Sequence, residues 1–349
     1  MRALIYDSFR ATPRVANVPD PVVPRDGVVV EVKASGICRS DWHGWQGHDA
    51  DIRTLPHIPG HEFAGVIAAV GPDVRRWRTG DRITTPFALG CGICVYCLAG
   101  DQQVCEKQFQ PGFSGPGSFA EYVALPFADV NLVRLPDEME FVEAAALGCR
   151  LATAFRGVAT QARLRAGEWV AVYGCGGVGL SAVMIGRALG ANVIGVDVAD
   201  EKLALAREAG AAHTFNAAAV PDVPEAIREL TDGGAHVSVD AFGGAGACRN
   251  SILSLRRRGR HVQIGLLFGD QAEPALPMGK VIAHELEIFG SHGMQVGAYP
   301  ELLEMIAAGK LPLKKLIGRL VSLDDACDAL ASLGSSPATG ITVIDRFAA

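Results

Sequence analysis

Glu168-Trp169-Val170-Ala171-Val172-Tyr173-Gly174-Cys175-Gly176-Gly177-Val178-Gly179, residues 168–179, decides how this chain is read. The first six residues are a short, largely apolar run of the kind that forms a buried strand, and Leu180 to Leu189 continues as a helix. The three glycines of a G-x-G-x-x-G pattern stand between them. A second strand, Val193–Asp197, then ends in an acid eighteen residues after the last glycine. The glycine pattern alone is weak evidence, because any tight strand-to-helix turn can carry it. Between a strand and a helix, with an acid at that distance, it describes a dinucleotide site. Gly174, Gly176, Gly177, Val178 and Gly179 would bring backbone close to a pyrophosphate, and the helix N-terminus stabilises such an anion. Asp197 would accept hydrogen bonds from the adenosine ribose. A 2′-phosphate there would face a like charge, so NAD is expected rather than NADP.

Downstream, Glu201–Ala209, Glu225–Leu230, Val237–Asp240 and His261–Gly265 keep helices and strands alternating. That is the pattern of an α/β unit with a doubly wound parallel sheet, expected over residues 151–292. Upstream, residues 1–150 alternate short apolar runs, such as Val28–Val30 and Phe63–Val70, with turns rich in proline and glycine, as β-rich domains do. Residues 293–349 are expected to return to this first domain and to end on a strand, Ile341–Asp345. Two domains are the natural expectation for 349 residues.

The β-rich half carries two groups of metal-binding side chains. Cys38-Arg39-Ser40-Asp41-Trp42-His43 and Gly60-His61-Glu62 supply a thiolate and an imidazole, both good zinc ligands. Catalytic zinc usually takes three protein ligands, so a third should come from elsewhere in the chain. Asp41 could orient an imidazole, while Ser40 and His43 could move a proton; an unperturbed imidazole titrates near ~6.5. The second group is Cys91-x-x-Cys94-x-x-Cys97 followed by Cys105. Four thiols this close match the closed site of a structural zinc, which has no position left for chemistry.

Bulk composition excludes several classes. With 49% hydrophobic and 20% charged residues the chain reads as globular. Its formal net charge of −6 argues against a nucleic-acid surface. The dense basic run, Arg256-Arg257-Arg258 with Arg260, is expected at a solvated helix end, where cations meet the negative end of the dipole. No apolar run approaches the ~20 residues of a membrane span. The start, Met1–Tyr6, reads as a strand rather than a signal peptide, so a cytoplasmic location is expected. Nine cysteines in a reducing compartment then need a reason other than disulfides.

Taken together, the cluster from Cys38 to Glu62, the four cysteines from 91 to 105, Cys149, and the glycine loop with Asp197 resemble the zinc-dependent medium-chain alcohol dehydrogenases over nearly the whole chain. The resemblance implies a β-rich GroES-like catalytic domain beside a Rossmann cofactor domain. It further implies Cys38, His61 and Cys149 as ligands of a catalytic zinc, with Glu62 close behind the metal and Asp41 bonded to His61. Arg39 and Lys202 would meet the cofactor, and Thr153 would lie against the nicotinamide. Phe87 and Trp42, with Trp45 and Phe113, would face substrate or pack in the core. The implied reaction passes a hydride between an alcohol and NAD, with the proton leaving through Ser40 and His43. Two zinc ions per chain and a homo-oligomer, dimer or tetramer, belong to the same expectation. One departure stands out: many relatives have an Arg after the glycine that opens the last strand, and this chain has Gly340-Ile341-Thr342. A polyol or amino-alcohol dehydrogenase of the same superfamily is the nearest alternative. A non-enzymatic zinc protein binding nucleic acid would explain the four cysteines but neither Asp197 nor the glycine loop.

Overall fold

A computed structural model describes residues 1–334 and 340–348. The chain folds as two compact units, one of residues 1–152, 293–301 and 317–349, the other of residues 153–292 and 302–316. The tail beyond residue 292 is therefore divided between them.

The second unit is built on six parallel strands: β1 (Trp169–Tyr173), β2 (Asn192–Asp197), β3 (His213–Asn216), β4 (Ala235–Asp240), β5 (Leu255–Gln263) and β6 (Glu287–Gly290). Their order is β3-β2-β1-β4-β5-β6, so the direction of winding reverses between β1 and β4. Strands buried on both faces read as continuous apolar runs, and Val170–Tyr173 is buried throughout. Helices Gly177–Ala188, Asp200–Ala209, Val223–Leu230 and Ala245–Leu253 make the crossovers. Asp222 starts the third of these by accepting the Glu225 N–H at 2.8 Å.

The basic run departs from its sequence-based expectation. Helix Ala245–Leu253 ends before it, and Arg256–Arg258 and Arg260 lie within β5. The free carbonyl of Leu253 is instead taken by the Arg228 guanidinium at 2.7 Å and the Lys280 ammonium at 2.6 Å. With that end already satisfied, the four arginines are released to other partners.

In the first unit, the long strand Val28–Ile37 pairs antiparallel with Phe63–Val70, with Tyr122–Leu125 and with Ile341–Arg346. Leu4, Tyr6, Phe63, Ile67, Ile83, Leu89 and Phe119 are fully buried around it. The strand read from Phe63 to Val70 is found with those ends. The segment ahead of Cys149 is a turn of helix, Phe141–Ala144, followed by a 3-10 turn, Ala145–Leu147. The Tyr299 hydroxyl, fully buried, donates to the Leu147 carbonyl at 3.1 Å just ahead of Cys149.

Candidate active site and metal centres

Two strands and a short helix place the first group of metal-binding side chains. Val28–Ile37 delivers Cys38 at its end, where helix Arg39–Trp45 begins. Asp41, in the first turn of that helix, points back at the chain. One carboxylate oxygen accepts the Cys38 N–H at 2.8 Å; the other accepts the Gly60 N–H at 3.1 Å and the His61 Nδ1–H at 2.8 Å. A carboxylate can only accept, so the His61 proton sits on Nδ1 and Nε2 is turned the other way. Nε2 is buried and has no hydrogen-bond partner among the described residues. A buried polar nitrogen left so costs on the order of 1–3 kcal/mol unless something occupies it.

The atoms grouped with it suit a metal ion. The Cys38, His61 and Cys149 ligand atoms all lie within 4.8 Å of one another, and all three residues are buried. Two soft sulfurs and an imidazole nitrogen are a zinc set with one position left open. The Cys38 thiol is held well below its ordinary value by the Cys149 thiol that donates to it and by the charge of Arg150. Burial opposes charge on His61, but Asp41 and the Cys38 thiolate outweigh it and raise its affinity for a proton. These are protons that a cation would displace, so metal uptake here is linked to proton release.

Glu62 stands behind this group with a partner that the sequence analysis gave no role. Its Oε1 accepts the Arg150 N–H at 2.8 Å, and its Oε2 lies 3.2 Å from the Arg150 guanidinium. Both side chains are buried, and the guanidinium also donates to the Ile37 carbonyl. Burial raises the Glu62 carboxyl to about 7 against the pull of Arg150. The signal available in the sequence was adjacency: Arg150 follows Cys149 directly.

The four cysteines form the second group, again with ligand atoms within 4.8 Å of one another. Sulfurs about 2.3 Å from one ion at tetrahedral angles stand about 3.8 Å apart. The Cys94 and Cys105 sulfurs are separated by 3.8 Å. Backbone N–H groups of Cys91 and Lys107 point at the Cys105 sulfur, each at 3.3 Å. The Ile93 N–H, together with that of Cys94, lowers the Cys91 thiol to about 6, whereas burial pushes Cys97 up to about 12. Asn131, which sequence reasoning missed, anchors the lobe by bonding the Gly90 N–H at 2.8 Å and its carbonyl at 2.9 Å.

In the second unit the glycine loop leaves β1 at Gly174, whose φ of +89° suits glycine alone. A side chain on Gly179 would sit 1.7 Å from the Gly174 carbonyl, so the helix can close on the strand only with glycine there. Asp197 accepts the Cys175 N–H at 2.8 Å and the Val198 and Ala199 N–H groups at 2.8 and 3.1 Å, with Lys202 at 3.9 Å. A carboxylate has about four acceptor sites, so one remains. The Thr153 hydroxyl is buried without a hydrogen-bond partner among the described residues.

The comparisons with known proteins agree with this construction. Residues 24–137 match the alcohol dehydrogenase GroES-like domain, and residues 177–308 match the zinc-binding dehydrogenase family. An alcohol dehydrogenase of Geobacillus stearothermophilus is 35% identical over 331 residues, 95% of this chain and 96% of the relative. The chain belongs to the zinc-dependent medium-chain alcohol dehydrogenases. An NAD-dependent alcohol dehydrogenase of Sulfurisphaera tokodaii is 31% identical, with 99% of each chain covered. The solved alcohol dehydrogenase of Thermus sp. ATN1 superposes with a TM-score of 0.90 at 28% identity, over 99% of this chain and 100% of that one. The fold of this dehydrogenase is thus a GroES-like unit and a Rossmann unit, and its two clusters offer ligand sets that could hold two zinc ions.

The remaining expected residues are placed differently from one another. Phe87 packs with Cys38 and Cys149, and its ring centroid is 6.1 Å from that of His61; Phe113 flanks His61 at 5.1 Å. Trp45 is instead buried in the core and donates to the Ala11 carbonyl at 2.7 Å. Trp42 is half-buried, with the Arg39 guanidinium over its ring and the His43 ring 5.0 Å away. Ser40 places its hydroxyl 3.8 Å from the Cys38 sulfur. His43 does not keep the ordinary imidazole value: burial, Arg39 and His48 push it down to about 4. No helix among the described residues is long and apolar enough to cross a membrane.

Proposed function

We propose that the enzyme passes a hydride between a primary or secondary alcohol and NAD, with the aldehyde or ketone as the other partner. Residues 1–150 act as the catalytic zinc domain, 151–292 as the NAD-binding domain, and 293–349 as the return to the first. The observation that carries the reading is the buried, unpartnered Nε2 of His61, aimed by Asp41 among two thiols. Zinc held by Cys38, His61 and Cys149 would polarise the substrate oxygen and ease loss of its proton. Cys91, Cys94, Cys97 and Cys105 hold the structural ion.

The chain's own residues do the rest. Asp41 keeps the His61 tautomer fixed, which also keeps the ring from turning. The neutral His43 ring can take a proton on one nitrogen while releasing another from the second. Ser40, whose hydroxyl is 3.8 Å from the Cys38 sulfur, is assigned to pass the proton towards that ring. In the second unit, Gly174–Gly179 receive the cofactor pyrophosphate, Asp197 uses its remaining acceptor site on the ribose, and Lys202 and Arg39 meet the cofactor from their own elements. Asp197 supports NAD over NADP, because a 2′-phosphate would face its charge. Thr153, with an unmet hydroxyl, is assigned to the nicotinamide.

Phe87 and Phe113 beside His61 favour an apolar or aromatic alcohol over a polyol, since hydroxyl-rich substrates need polar partners that these rings lack. Trp42 is assigned to the same wall. The enzyme is further proposed to work as a homo-oligomer, dimer or tetramer, in the cytoplasm. Exposed Leu276, Met278, Ile282 and Ile288 near edge strand β6 support the first, and nine free cysteines support the second. Purified protein assayed against alcohols of graded polarity with NAD and NADP tests the reaction, and light scattering tests assembly. Turnover of polyols in preference to aromatic alcohols would overturn the substrate assignment.

A further inference from the structure

The arginine run that the glycine loop and the metal sites leave unused forms a site of its own. Ala235 of β4 pairs with Leu255 of β5, but Val237 pairs with Arg260. One residue of β4, His236, thus stands opposite four of β5, and the chain detours through Arg256, Arg257, Arg258 and Gly259. The detour is costly: Arg258 has a φ of +57°, and Arg163, across the same cavity, one of +51°. Left-handed backbone at a residue with a side chain costs of order 1 kcal/mol or more, and such strain gathers at functional sites.

The cavity so formed measures about 330 Å³, at the lower end of the range of small-ligand sites, about 300–1,000 Å³. It lies at the N-terminal ends of β1, β4, β5 and β6, the edge of the sheet away from the glycine loop. Six guanidinium groups line it against two carboxylates. Both carboxylates are already engaged: Glu168 with Arg260 at 2.6 Å and Glu287 with Arg163 at 2.5 Å.

The other four arginines are poorly matched. Arg258 reaches Glu285 in an exposed pair, which stabilises little. Arg257 donates to the Ala283 carbonyl at 3.2 Å. Arg165 makes no side-chain hydrogen bond or ion pair with another described residue. Arg256 faces His236 Nε2 at 2.8 Å, yet His236 Nδ1 already accepts the Trp169 N–H at 3.0 Å. The neutral ring must then carry its proton on Nε2, donor against donor. Burial and Arg256 hold His236 below the ordinary imidazole value, so the ring stays neutral. An acceptor placed in the cavity would relieve that opposition.

We infer that this cavity binds a small phosphate-rich anion of the diphosphate or triphosphate class, at a site separate from the cofactor loop. Arg165, Arg256 and Arg257 supply donors whose planar forks match phosphate oxygens, and the half-buried Arg260–Glu168 pair forms the floor. The volume suits a chain of two or three phosphates better than a whole nucleotide, and the enzyme's net negative charge disfavours a nucleic acid.

Titration calorimetry tests this on the full enzyme loaded with zinc and saturated with NADH, so that the glycine loop is already filled. Inorganic tripolyphosphate and pyrophosphate should bind at one site per chain, more tightly than sulfate at matched ionic strength. Equal or tighter binding of ATP would identify a nucleotide's phosphate tail as the source; weaker ATP binding would identify the free anion. The exposed-residue variant Arg165→Ser/Arg257→Ser, which touches neither metal site, should keep wild-type turnover and melting temperature and lose roughly tenfold or more in affinity. Absence of binding, equal binding by sulfate, unchanged affinity in the variant, or tighter binding of a DNA duplex would each overturn the inference.

Discussion

The Nδ1 atoms of His43 and His48 lie 3.0 Å apart, one ring half-buried and the other exposed. One nitrogen must donate to the other, so the pair is a ready path between the helix that follows Cys38 and solvent. With His43 pushed down to about 4, the ring is neutral near pH 7, and in the proposed relay it would pass a proton on rather than store it. His43→Gln should therefore slow alcohol oxidation near pH 7 by roughly tenfold or more. His48→Phe should slow it by a smaller factor. Both should keep two zinc ions and NAD affinity, and both should recover rate at high pH as hydroxide takes the proton. Rates equal to wild type across the pH range would remove the two rings from the path.

The two metal sites should fail differently. Cys149→Ala removes a ligand from the open site, so turnover should nearly vanish and one zinc equivalent should be lost with most of the fold kept. Cys97→Ala opens the four-thiolate lobe, where metal binding contributes folding energy, so the melting temperature should fall first. Metal analysis with calorimetry decides; the same pattern in both variants would contradict the assignment.

Cofactor preference should rest on Asp197. Its three backbone hydrogen bonds hold the carboxylate in place and leave one acceptor position. Asp197→Ser should weaken NAD binding and relax the discrimination against NADP, as read from kcat/KM with each cofactor. An unchanged ratio would place the discriminating charge elsewhere.

His261 should make the second unit sensitive to acid. It is fully buried; its Nδ1 accepts from the Ser238 and Ser251 hydroxyls at 3.2 and 3.1 Å, and its Nε2–H faces Gln263 at 3.3 Å. Burial lowers it from 6.5 to about 4. The unfolded chain then binds the proton more readily than the folded one between those values. Stability is complete above pH ~6.5 and is lost as pH falls towards ~4, by about 3 kcal/mol in all. Hydrogen-exchange protection factors in residues 235–263, which correct for the slower intrinsic exchange in acid, should fall over that range. In His261→Gln the same segment should show a flatter response, and an equally steep one would point to another group.

What could be read from the sequence was whatever local chemistry repeats in a short window. The glycine loop, its flanking strands and the acid at Asp197 lie within thirty residues, and the four cysteines within fifteen. Zinc ligation by Cys149 came only from resemblance, because nothing near it in sequence announces a metal. Arg150 and Asn131 were not assigned because their work is done across the fold, on Glu62 and Gly90. Charge alone puts the arginine run at a helix end, because composition cannot show that Arg228 and Lys280, from other elements, satisfy that end. His43 was given an ordinary imidazole value because its burial and its neighbour His48 are properties of the folded loop.

The pairing of Ile341–Arg346 with Val28–Ile37 has a consequence for how the enzyme is made. Thr342, Val343 and Ile344 lie opposite Ile37, Gly36 and Ser35, immediately before Cys38. During synthesis the second unit's sheet, all between residues 169 and 290, can close while this partner strand has yet to emerge. Ladders between segments so far apart in sequence close slowly. Until then residues 35–37, immediately ahead of Cys38, lack their partner on that edge, while residues 28–31 can already pair with Tyr122–Leu125. The ladder that braces the approach to Cys38 thus forms only after the ribosome has delivered residues 341–346.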